Sequence, residues 1–137
     1  MEATTHNKII KYGFYLAGLA NIGGVLNATK FFTNDAVMQV DTEVMSQFGL
    51  IMIIVWGLAY ISVAKSFVKV KWLVLVFAIE KFCYGFYWTN WISNNDMDTI
   101  SENYPSASSF YSTYGINDWI FFVFFSYVFV RLIIKKK

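Results

Sequence analysis

The chain has 137 residues, of which 57% are hydrophobic, 20% aromatic and only 15% charged, with a single proline. This is the composition of a membrane protein, and its apolar runs leave no length for a separate soluble domain, so one domain around the inside of a helical bundle is expected. The net charge is +2, and the basic residues are segregated rather than spread over a face, which excludes a nucleic-acid-binding surface.

Four runs near spanning length, about residues 9–28, 47–65, 70–91 and 117–134, predict an all-α fold: a polytopic four-helix transmembrane bundle. Lys8 and Lys11 precede the first run, Lys65, Lys69 and Lys71 fill the link between the second and third, and Arg131 with Lys135, Lys136 and Lys137 closes the fourth. Nine of the eleven basic residues therefore share one side. The opposite loops carry Asp35, Asp41, Glu43, Asp96, Asp98 and Glu102, so both termini are expected in the cytoplasm. The first run has the layout of a secretory signal but is expected to stay on the chain as a span. The terminal lysines do not have the spacing of a dilysine retrieval signal and read as an interfacial anchor.

Gly13, Ala17, Ala20, Asn21, Gly24, Asn27 and Ala28 recur at three- and four-residue spacing in the first span, a small-residue stripe that brings helices together. Gly18 and Gly23 fall off that stripe, where they would ease bending. Residues 29–45 form an outer loop with room for short interfacial structure, and Phe31 and Phe32 suit headgroup level. The second span starts near Ser46. Its Gly49, Ile53, Gly57 and Ile61 make another close-packing stripe, and the short link that follows predicts that spans two and three are antiparallel neighbours.

The third span, VKWLVLVFAIEKFCYGFYWTNW, carries Glu80 and Lys81 near its middle. An ionised group there is unfavourable by roughly 2.5 to 3.5 kcal/mol, so both side chains must face protein, each other or a hydrated cavity. At about 100° per residue, Leu73, Val76, Phe77, Cys83, Tyr84, Tyr87 and Trp91 share the Glu80 face. Lys81 points away between Ala78 and Gly85, where small residues admit a neighbouring helix. Two readings follow: a buried pair that fixes helix register, or a ligand, proton or ion site. Asn21 or a tyrosine of another span is the expected partner of Glu80, with Tyr84, Tyr87, Trp88 and Trp56 as an aromatic wall. Cys83, the lone cysteine, is expected to be a small apolar packing residue.

In the second outer loop, SNNDMD forms a turn and PSASSFYSTY a short surface helix beginning at Pro105. Asn117 and Asp118 start the fourth span, where a carboxylate suits a helix amino terminus. SQFGL (46–50) before span two echoes STYGI (112–116) before span four. Each half would then read as span, outer loop, span, a parallel repeat of two hairpins.

His6 is the only histidine and lies outside the spans, and there is no nucleophile elbow, phosphate-binding glycine loop or cysteine pair. No metal, cofactor or catalytic activity is expected. The combination of FGLIMIIVWGLAYISVAK with VFAIEKFCYGFYW resembles small, uncharacterised four-span membrane proteins of bacteria, which implies the span layout and the bacterial cytoplasmic membrane but no activity. Long outer loops with a short inner link are similar in layout to the emopamil-binding and sigma-2 receptor group, which holds apolar amines or sterols. Small multidrug exporters differ, since their essential glutamate lies in the first span. Three function classes stay open: a pocket for a lipid-like molecule or amphipathic amine anchored by Glu80, a proton-coupled or ion-conducting oligomer, and a structural subunit of a larger membrane complex.

Overall fold

Most of the described backbone closes its hydrogen bonds within its own helical segment. The structure is a computed structural model that describes residues 2–135; Lys136 and Lys137 of the basic terminus lie outside the described residues. Six α-helices are present among the described residues and no strand: α1 (Glu2–Ala28), α2 (Ala36–Val40), α3 (Gln47–Val63), α4 (Lys71–Asn94), α5 (Met97–Asn103) and α6 (Pro105–Ile134). A single 3-10 turn, Phe67–Lys69, joins α3 to α4.

The all-α expectation holds. Two helical stretches, Thr4–Ala28 and Pro105–Ile134, are long and apolar enough to cross a membrane, and α3 is apolar but only 17 residues long. Helix α4 has the length, but Glu80, Lys81, Thr89 and Asn90 dilute its apolar character.

Local chemistry sets the helix ends. Ser46 accepts a hydrogen bond from the Gly49 amide at 3.1 Å and so caps α3. Asp96 caps α5, accepting from the Thr99 hydroxyl at 2.7 Å and the Asp98 amide at 3.1 Å. These bonds hold the exposed Asp96 carboxyl below its ordinary range. Pro105 occupies the first turn of α6, where its missing amide proton costs nothing.

The segment from Pro105 differs from expectation. It is not a separate surface helix but the first three turns of α6, which runs unbroken for 30 residues; the short surface helix is α5. The fourth helix therefore starts at residue 105, not near 117. Asp118 lies in its interior and caps nothing. The serines and threonines that make 105–114 look like a loop turn back onto their own helix, as Ser112 does to the Ser108 carbonyl at 2.7 Å and Thr113 to that of Ser109 at 2.7 Å.

Helices pack in two antiparallel pairs, α1 with α3 and α4 with α6. Gly18 and Gly57 meet across the first pair, each opposite the other's carbonyl oxygen. Gly18, which lies off the small-residue stripe, makes this approach together with Asn21 of the stripe, while Gly13 of the stripe packs on the Phe124 ring of α6 and Gly24 meets nothing. In the second pair Gly85 faces the Trp119 indole and Gly115 faces that of Trp88. A Cβ at Gly115 would overlap the Trp88 ring, so Gly115→Ala is expected to destabilise the bundle by about 1–3 kcal/mol. Chemical unfolding in detergent would measure it, and an unchanged midpoint would deny that α4 and α6 meet there.

Helices α3 and α4, consecutive in the chain, are neighbours, as the short link predicts, but they meet through side chains rather than by close backbone approach: the Phe77 ring packs on those of Tyr60 and Trp56, and the Tyr60 hydroxyl donates to Glu80. The two halves do share a long–short–long helix order. The SQFGL and STYGI echo is not part of that likeness: Ser46 caps α3, whereas Ser112 sits inside α6.

Two apolar cores result. One, near the termini, clusters Phe14, Tyr60, Phe67, Phe77, Phe121 and Phe125 with Val74 and Val128. The other, at the opposite end beside α2 and the start of α6, gathers Val25, Val37, Met45, Leu50, Ala107, Tyr111 and Tyr114. Between them lies a buried polar layer of Asn21, Glu80, Lys81 and Asp118.

Candidate functional site

The buried stripe of α4 is Val74, Phe77, Ala78, Lys81 and Gly85, with Glu80 on its flank. This face is centred on Lys81 rather than on Glu80: Leu73, Val76 and Cys83, expected beside the carboxylate, are exposed. Ala78 and Gly85 on either side of the lysine let α6 come close, as their small size predicts. Lys81 is 1% exposed.

Its ammonium donates to Asp118 Oδ1 at 2.8 Å and to Asn21 Oδ1 at 2.8 Å. The Asn21 amide in turn donates to the Ile53 carbonyl at 3.1 Å, so one lysine ties together α1, α3, α4 and α6. The ammonium also lies 5.4 Å from the centre of the Tyr60 ring and 6.0 Å from that of Phe121, close enough for cation–π attraction. Glu80 takes a different partner, accepting a hydrogen bond from the Tyr60 hydroxyl of α3.

Two expectations are corrected here. Asn21 binds Lys81, not Glu80. The ion pair is Lys81 with Asp118, 2.8 Å apart, not Lys81 with its sequence neighbour. Adjacent helical residues diverge by about 100°, so Glu80 reaches toward α3 while Lys81 reaches toward α6. The expectation that a tyrosine of another span contacts Glu80 is met by Tyr60.

A cavity of about 230 Å³ adjoins the layer, lined by Asn21, Glu80, Lys81, Tyr84, Tyr114 and Asp118 among others. It has room for several waters or a small organic group. Ala20, Gly24 and Val25 of α1, Ile53 of α3, and Phe110, Thr113 and Asn117 of α6 complete its wall, and the exposed Gly24 and Thr113 put its opening sideways between α1 and α6. Gly24 is exposed at the mouth, and a side chain there would meet no atom within 4 Å. Tyr114, one of the lining residues, has a hydroxyl that is buried without a hydrogen-bond partner. A buried hydroxyl left unpaired costs about 1–3 kcal/mol. The site therefore offers two carboxylates against one ammonium.

Of the seven residues picked from the sequence, Asn21, Glu80, Lys81 and Tyr84 come together at this cavity. The other three do not. Trp56 packs edge-on against Phe77 in the core near the termini, ring centres 6.2 Å apart. Trp88 donates its indole N–H to the Tyr111 carbonyl at 2.7 Å and fills the space at Gly115. Tyr87 donates to Asp41 Oδ2 at 3.3 Å in a second, shallower groove shared with Glu43, Phe48, Met52 and Cys83. Cys83 is thus an exposed groove residue, not a packing one. Tyr84 lines both spaces.

Asp118, Tyr60 and Tyr114 are site residues that sequence reasoning missed. A signal for Tyr60 existed, since Leu50, Gly57, Tyr60 and Ala64 recur at helical spacing and are all buried. Asp118 falls on the stripe of Tyr111, Tyr114, Phe121 and Phe125 once α6 is extended back to Pro105.

Comparison of the chain with protein-family models, with curated proteins and with solved structures finds no match.

Proposed function

We propose that this is a four-span protein of a bacterial cytoplasmic membrane, both termini cytoplasmic, that binds the polar head of a small amphipathic molecule in the cavity beside Glu80. The membrane part of the reading draws on apolar side chains turned outward on every long helix: Leu16 and Leu19 on α1, Val55 and Leu58 on α3, Ile79 and Phe86 on α4, Ile120 and Val123 on α6. A surface of this kind is far more than a monomer leaves in water, and it suits acyl chains. The lysine asymmetry sets the orientation. In a Cys83→Ser background, single cysteines replacing Asp35 and Ser101 should react with an impermeant thiol reagent from outside the cell, and one replacing Lys65 should not. The opposite pattern would invert the topology.

The binding part is carried by one observation: at the wall of the cavity Asp118 takes the single ammonium, and the second buried carboxylate, Glu80, has a tyrosine hydroxyl but no cation as its partner. In a low-dielectric interior the excess carboxylate needs a proton or a cation. An amphipathic amine would supply one and lay its apolar part in the α1–α6 crevice. At about 230 Å³ the cavity is smaller than a drug-sized pocket, so the head enters and the tail stays in the crevice. The same excess carboxylate favours a second reading, proton-coupled transport.

Thermal stabilisation of the purified chain by a panel of lipophilic amines tests the first reading, with Gly24→Leu as the blocking variant. Open space at Gly24 means that this substitution should fold as well as the native chain, or better by up to about 1 kcal/mol, since glycine is a poor helix former. Native stabilisation that is lost in Gly24→Leu is the expected result. No response of the native chain to any amine would leave a polar layer that serves assembly.

A further inference from the structure

We infer that the end of the bundle bearing the two termini holds a binding site for the phosphate of an anionic lipid. A groove of about 770 Å³ opens there between the start of α4 and the last turns of α6. Its lining includes four cations, Lys69, Lys71, Arg131 and Lys135, and no carboxylate. The only ion pair among the described residues is Lys81–Asp118, so none of the four has a carboxylate partner there.

The cations sit around an apolar floor that includes Phe67 and Val128, both buried. This combination fits an amphiphile with a negative head better than a free ion, which would have no use for the floor. Trp72 marks the level. It is 63% exposed, its ring lies 5.7 Å from that of Phe129, and the Lys71 ammonium stands 5.2 Å above it. An exposed tryptophan beside a lysine is the arrangement found at headgroup depth. The helix dipole adds to the case, because Lys71 opens α4 and no acidic residue occupies its first turn. Positive charge at a helix start is unfavourable, and a phosphate placed among these groups would offset both the dipole and the mutual repulsion of the cations. Basic pockets between helices on the cytoplasmic side are a recurrent setting for anionic headgroups.

The site rests on the membrane reading above but not on the cavity at Glu80, which lies in the middle of the bundle. The two can fail separately. A chain that does not insert into bilayers at all sinks the membrane reading, whereas one that inserts without lipid preference sinks only this site.

The test uses the full chain in nanodiscs of phosphatidylcholine, alone or mixed with phosphatidylglycerol, with retained lipid read by native mass spectrometry and stability by unfolding temperature. The native chain should retain phosphatidylglycerol over phosphatidylcholine and unfold at a higher temperature in the mixed discs. Arg131→Gln alone and Lys71→Gln/Arg131→Gln should lose that preference, the double variant on the order of tenfold or more. Lys8→Gln/Lys65→Gln removes two charges from the same end of the molecule but outside the groove, and should keep it. Both double variants are compared in phosphatidylcholine alone, which separates a folding defect from lost recognition. Equal loss in the two double variants would reduce the effect to diffuse charge and overturn the site. So would the absence of any native preference, or glycerol phosphate and inorganic phosphate stabilising the chain as well as the lipid does.

Discussion

Lys81→Met is expected to destabilise the protein by about 3–5 kcal/mol, the cost of removing one partner from a buried ion pair. The ammonium is 1% exposed and supplies hydrogen bonds to Asp118 and Asn21, each at 2.8 Å. Methionine has nearly the length of the lysine stem, so the packing between Ala78 and Gly85 is kept and the loss is electrostatic. What remains is a buried Asp118 without its cation, beside a second carboxylate at Glu80. Adding Asp118→Asn to Lys81→Met should recover a large part of the loss, because a neutral amide no longer needs the charge. Unfolding in detergent micelles, arranged as a double-mutant cycle, measures the coupling. A single-variant effect below about 1 kcal/mol, the size found for exposed pairs, would mean that the lysine is solvated and the polar layer open to water.

The contrast between that pair and the one visible in the sequence shows how far periodicity reads. Helical spacing places Lys81 between Ala78 and Gly85, and that placement holds because it is a property of one helix. It cannot name the residue across the gap. Asp118 is 37 positions away, and its setting depended on where α6 begins. Residues Pro105 to Tyr114 are rich in serine and threonine, which read as a loop; in a helix wall those hydroxyls bond to the preceding turn and cost little. Once that stretch is helical, Asp118 moves from a helix start to a helix interior and from a cap to an ion-pair partner.

The small-residue stripe of α1 held only in part, for a related reason. Gly13 packs on the Phe124 ring of α6 and Ala17 is buried, yet the glycine that meets α3 is Gly18, off the stripe, and Gly24 opens onto the cavity mouth. A stripe shows where a close contact can form. Which of several glycines makes it depends on where the partner helix crosses, and the loops decide that. The two-pair arrangement follows from those loops: in each half a short helix fills the turn between two long ones, α2 between α1 and α3, α5 between α4 and α6.

Glu80→Gln should have the opposite profile to Lys81→Met: stability within about 1 kcal/mol of the native chain, but ligand response reduced roughly ten- to hundredfold. Glutamine has the same shape, and its carbonyl oxygen still accepts from the Tyr60 hydroxyl. The lost element is a single negative charge. Because Asp118 already neutralises Lys81, that charge is the excess one, and removing it relieves the interior instead of leaving a cation unpaired. A ligand amine loses more. Its charge-assisted hydrogen bond, worth about 1.5–3 kcal/mol, becomes a neutral one, which is the source of the expected factor. Isothermal titration or thermal shift with the best amine of the panel reads the affinity, and the proton count on binding reads the mechanism. If the native carboxyl is protonated when empty, an amine cation that binds it should displace one proton, and Glu80→Gln should abolish that release. A proton-coupled carrier would show the same release together with flux that Glu80→Gln stops. Glu80→Gln that unfolds like Lys81→Met, with the native chain indifferent to every amine, would place Glu80 with the packing of the polar layer and remove it from any binding role.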